Sequence, residues 1–75
     1  MTTSGSAVVL VYSTGHALKA EKAIKAQGIS CKLIPVPRHL SSDCGVCVCI
    51  PAAARTSVEA ALKAALVEFD AIHDI

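Results

Sequence analysis

Apolar positions along this chain fall into short unbroken runs and two spaced stripes. Residues 7–12 (AVVLVY) are apolar throughout and rich in valine, the pattern of a strand buried on both faces. Residues 29–35 (ISCKLIP) predict a second strand, which Pro35 and Pro37 either end or place at a sheet edge. Residues 46–50 (VCVCI) predict a third. Alternation there puts Val46, Val48 and Ile50 on one face and Cys47 and Cys49 on the other, before Pro51 stops it. Residues 71–75 (AIHDI) make a short last strand.

The stripes lie between the runs. In residues 16–28, Ala17, Ala20 and Ile24 recur at helical spacing, with Lys19, Lys22 and Lys25 on the opposite side. Glu21 can pair with Lys25 one turn on. Residues 57–69 repeat the pattern with Val58, Leu62, Ala65 and Phe69, and Glu59 can pair with Lys63. Ser13 or Thr14 is the expected cap of the first helix, Gly28 its stop, and Thr56 or Ser57 the expected cap of the second. Residues 37–45 read as a loop, and the small polar residues 1–6 as a disordered N-terminus before a single domain over 7–75.

The order is therefore βαββαβ. It predicts an α+β, ferredoxin-like fold: one four-stranded antiparallel sheet, strand order 4-1-3-2, with both helices on one face. The other face would carry Cys47, Cys49, Lys32 and Ile34. That mixed surface suits a partner or a sheet-to-sheet homodimer.

Composition narrows the partners. A 75-residue chain has a small core, which also favours a dimer. Hydrophobic residues make up 53%, too many for a disordered chain. A net charge of +1 gives no field for nucleic acid or an anionic membrane. No apolar run approaches the roughly 20 residues of a membrane span. The first apolar run lacks a basic flank, so it reads as a strand and not a leader. The expectation is a cytoplasmic protein with reduced thiols.

The chemistry then rests on cysteine. Cys31, Cys44, Cys47 and Cys49 sit in or beside predicted strands, a poor pattern for disulfide staples. The predicted connectivity brings the end of strand one, the start of helix one and the start of strand three to one edge of the sheet. Cys44 then lies near Ser13, Thr14, Gly15 and His16. A helix N-terminus favours thiolate, the nucleophilic form. His16, Arg38 and His39 can add positive charge, Asp43 opposes it, and Gly45 leaves room for an approaching group.

Two other readings use the same residues. Cys44, Cys47 and Cys49 form a CxxCxC that could bind a metal or iron–sulfur cluster, but a lone CxxC without a second pair is a weak signal. Alternatively the thiols are inert and the domain only binds a protein. A disulfide catalyst fits poorly, since residues three apart on a strand lie roughly 10 Å apart. No acid–base pair or phosphate loop is visible, so neither an enzyme nor a cofactor is expected.

The stretches STGHALKAEKAIKAQGI, KLIPVPRHLSSDCG and DAIHDI resemble the selenium/sulfur carrier-like family, formerly catalogued as a domain of unknown function. The resemblance spans about residues 8–75, and LIPVPRHLSSDCG is its most specific piece. It implies a carrier that holds sulfur or selenium on Cys44, as persulfide or selenosulfide, between donor and acceptor proteins. His16, Arg38, Ser41, Ser42 and Gly45 match the surrounding pattern and would form the pocket. The family usually has no cysteine where this chain has Cys47 and Cys49; against the resemblance these are either substitutions for small apolar residues or a gained resolving thiol, Cys47, or a gained metal site. The chain also lacks the Cys-Pro-x-Pro motif of other sulfur carriers.

Overall fold

Strand β1 (Ser6–Leu10) lies inside a four-stranded sheet, between β3 (Val46–Pro51) and β4 (Ala71–Asp74). β2 (Lys32–Pro35) is the edge strand beyond β3. The order β2-β3-β1-β4 is the predicted one read from the other edge, and every neighbouring pair is antiparallel. Helix α1 (Thr14–Ala26) follows β1, and α2 (Arg55–Ala64) follows β3 after a 3₁₀ turn, Ala52–Ala54. The computed structural model describes residues 5–36 and 45–74.

The pleat of β1 explains its unbroken apolar run. Ala7, Val9 and Val11 point into one core with Val48 and Ile50 of β3. Ala17, Ala20 and Ile24 of α1 and Val58 and Leu62 of α2 close that core from above. Both helices therefore cover one face. Val8 and Leu10 point the other way and pack with Cys47. That second face departs from expectation. Val8, Leu10 and Cys47 are fully or almost fully buried, with Ile34, Val36 and Cys49 packed around them, so its centre is not an open surface.

Ser13 is the α1 cap. Its backbone is extended and its hydroxyl accepts the His16 N–H at 3.2 Å. At the far end Gly28 takes φ 77°; its N–H reaches the Lys25 carbonyl at 2.9 Å and the Ile29 N–H reaches Ile24 at 3.3 Å. This pair of bonds is a Schellman closure. Because Ile29 is spent in it, β2 starts at Lys32 and not at residue 29.

Helix α2 corrects the sequence reading at both ends. Neither Thr56 nor Ser57 caps it. The 3₁₀ turn runs straight into Arg55, and Ala54 offers no side-chain cap. The helix ends at Ala64, so Ala65 is exposed and Phe69 packs from the following loop. The closure is again of Schellman type: Leu66 N–H to Lys63 at 3.1 Å, Val67 N–H to Leu62 at 2.9 Å. Here the left-handed position is Leu66, at φ 58° and 89% exposed. A leucine is strained there by roughly 1–2 kcal/mol, and its side chain recovers little. Leu66→Gly is expected to stabilise the fold by about 0.5–1 kcal/mol, after the extra freedom of glycine in the unfolded chain is subtracted. A melting temperature unchanged or lowered in that variant contradicts the strain argument.

Side chains tie the layers together at the surface. Glu21–Lys25 and Glu59–Lys63 form the expected one-turn ion pairs, at 3.3 Å and 3.4 Å. Arg55, at the start of α2, reaches β4 and donates to the Asp74 carboxylate at 3.0 Å and the Ile72 carbonyl at 2.9 Å.

Candidate functional site

The sheet end where β1 leaves and β3 enters holds some of the residues singled out by sequence. Leu10 pairs with Cys47, and continuing that register by two residues brings Tyr12 level with Gly45. The Gly45 carbonyl also accepts the Val36 N–H at 3.2 Å, which joins β2 to the same end. Helix α1 starts here, so Ser13, Thr14, Gly15, His16 and Gly45 share one end of the molecule. Among the described residues a Cβ at Gly45 would meet nothing within 4 Å. Arg38, His39, Ser41, Ser42, Asp43 and Cys44 lie outside the described residues. Cys44 is the residue bonded to Gly45 in the chain.

The side chains at this end form a small cluster. Ser13 Oγ lies 2.7 Å from His16 Nδ1 while also accepting the His16 backbone N–H. The Tyr12 ring meets the imidazole edge-on, with centroids 6.0 Å apart and planes at 80°. Tyr12 is 48% exposed, so the pair lines an accessible surface. Histidine stands where a capping box carries glutamate or glutamine, three residues after the cap, and its ring does the reaching back. Tyr12 was not singled out by sequence; its place four residues before His16 was the only signal.

The remaining thiols are arranged differently. Cys47 is 0% exposed, with Sγ 3.9 Å from the Pro35 carbonyl, so reaction there requires the helix-free face to open. Cys49 shares that face and is half-buried. Cys31 faces the helices, with Sγ 3.7 Å from the Glu21 carbonyl. Cys31 and Cys49 both border a groove of about 840 Å³ at the opposite end of the sheet, formed also by Ser30, Lys32 and Pro51. Among the described residues no three His, Cys, Asp or Glu side chains come together to hold a metal. The Cys44–Cys47–Cys49 set includes a residue outside that description.

Burial pushes the Cys31 thiol above its ordinary value of 9.0; Glu21 pushes the same way and Lys25 opposes. The folded form thus prefers protonated Cys31. Its contribution to stability is complete below the unfolded thiol pKa and is lost as pH rises through the folded one. Stability is expected to fall above pH 9 in wild type and less steeply in Cys31→Ala, as urea midpoints against pH will measure. Equal slopes would contradict this assignment.

Four antiparallel strands with two helices on one face, and a capped helix start at the sheet end from which a cysteine-bearing segment enters β3, define a ferredoxin-like α+β domain with one candidate end. A family model described as "Putative Se/S carrier protein-like" matches residues 6–74, and the chain belongs to that selenium/sulfur carrier-like family. No curated protein matches the chain, and no solved structure does. Among the described residues no helix is long and apolar enough to cross a membrane.

Proposed function

We propose that this protein is a non-enzymatic cytoplasmic carrier that holds sulfur or selenium on Cys44 for transfer between proteins. The Cys44 thiolate attacks the terminal sulfur of a donor persulfide. The donor S–S bond breaks, a Cys44 persulfide forms and the donor departs as thiolate, with no net oxidation or reduction. An acceptor thiolate then takes the sulfur by the same exchange. Selenium would be held as a selenosulfide in the equivalent bond.

The family match over residues 6–74 is the observation that supports this reading most. The arrangement of the described residues is compatible with it. Gly45 lies at the end where α1 begins, and the positive end of a helix lowers a nearby thiol pKa. His16, Thr14, Gly15 and Gly45 would surround the sulfur, with Arg38, Ser41 and Ser42 contributed by the loop.

The test is intact-mass spectrometry of reduced, metal-free protein incubated with glutathione persulfide. The expected result is gain of one sulfur atom, removed again by an acceptor thiol. No gain overturns the proposal.

A further inference from the structure

The β2–β3 ladder stops short of the end of β3. Its last pair is Lys32 with Cys49, whereas β3 runs on to Pro51, which pairs with Ser6 of β1. Ile29 is held in the turn that closes α1, so Ser30 and Cys31 stand outside β2. Pro51 has no N–H with which to extend the ladder towards them. The space left open at this corner of the sheet is the groove of about 840 Å³. That size falls within the roughly 300–1,000 Å³ of small-molecule sites.

The lining sets what fits. Ile50, Pro51, Ala52 and Ala53 give the groove an apolar wall. Lys32 is the one charged side chain on its border, and among the described residues no carboxylate pairs with Lys32. A lysine lays its stem along apolar surface and keeps its ammonium in water at the rim. An apolar body with a single negative end matches that combination of wall and cation. A phosphate fits less well, since it would meet one ammonium and no arginine fork.

We infer that the groove between β2 and the end of β3 binds an aliphatic monocarboxylate, its chain against the wall from Ile50 to Ala53 and its carboxylate at Lys32. The site lies at the opposite end of the sheet from the start of α1 and is independent of the carrier reading. Cys31 and Cys49 border it and are both partly exposed, so their thiols report its occupancy.

Octanoate, kept below its micellar concentration, is the probe. In a ¹H–¹⁵N NMR titration the shifts should saturate and should concentrate at Lys32, Cys49, Ile50 and Ala53. Ala53 is exposed, so Ala53→Phe should fold normally, fill the groove and lose octanoate binding. Lys32→Gln should weaken binding by up to about fivefold, the size of an exposed ion pair. Octanol, which has no charge, should bind wild type and Lys32→Gln alike. Iodoacetamide, followed by peptide mass, should label Cys31 and Cys49 more slowly when octanoate is present, in wild type but not in Ala53→Phe. No saturable shift, shifts centred elsewhere on the chain, or undiminished binding in Ala53→Phe with its melting temperature unchanged would overturn the site. Octanoate affinity unmoved by Lys32→Gln would overturn the placing of the carboxylate.

Discussion

Cys44→Ser is expected to abolish sulfur uptake completely, while the Cys47→Ser/Cys49→Ser double variant keeps it. The contrast follows from where the described thiols lie. Cys31 is held protonated by burial and by Glu21, and a protonated thiol is a poor nucleophile. Cys47 is packed between Val8, Leu10 and Ile34 with no exposed surface. Cys49 is half-buried on the same face. In the proposed arrangement only Cys44 adjoins the α1 N-terminus and His16. Intact mass after glutathione persulfide treatment decides the matter. A sulfur adduct that survives Cys44→Ser would remove Cys44 from the mechanism. Loss of uptake in the double variant with melting unchanged would show that Cys47 or Cys49 takes part.

The largest effect on stability is expected for Leu62→Ala. Leu62 is 0% exposed and closes the core between α2 and the sheet, against residues such as Val9 and Val48. Its carbonyl also accepts the Val67 N–H that ends the helix, but that bond survives truncation of the side chain. Removing a buried leucine side chain costs about 2–5 kcal/mol. A chain of this size holds roughly 4–11 kcal/mol in all. Leu62→Ala should therefore lose roughly a fifth of the total or more, readable as a lowered urea midpoint. A loss below about 1 kcal/mol would mean that the core repacks around the gap, and would undercut the assignment of Leu62 to its centre.

Most of the fold was legible because its signals are local and agree with one another. The unbroken run around Val9, the alternation through Val48 and Ile50, and the lysine stripe of α1 each specify one element, and the short connections then leave few topologies. Helix α1 was readable at both ends because Ser13 and Gly28 are residues whose chemistry marks a boundary. Helix α2 was not. It starts from a 3₁₀ turn of alanines and ends on Leu66, where backbone geometry has overridden residue preference. The second sheet face was misjudged for another reason. Alternation says which residues share a face, but says nothing of how completely that face is closed.

The candidate end was readable only as far as topology carries. Connectivity predicted that Cys44 would lie near Ser13, Thr14, Gly15 and His16; Cys44 itself lies outside the described residues, and its chain neighbour Gly45 is at the sheet end where α1 starts. The 2.7 Å contact between Ser13 and His16 was not predicted, since a cap and an imidazole three residues on are usually read separately. The groove beside Cys31 and Cys49 was missed because it is made by strand ends, which no periodicity marks.

The contact between Arg55 and β4 bears on what happens at high concentration. A small, half-apolar sheet protein has two edge strands, and an edge with free carbonyls can recruit another chain and grow. On β4 the Ile72 carbonyl is already taken by the Arg55 guanidinium, and Asp74 holds that cation in place. On β2 the edge is four residues long, opens with an exposed lysine and closes at Pro35, which has no N–H to offer. Among the described residues neither side presents a long, vacant ladder, so the same few residues that finish the fold also oppose strand-to-strand addition of further copies.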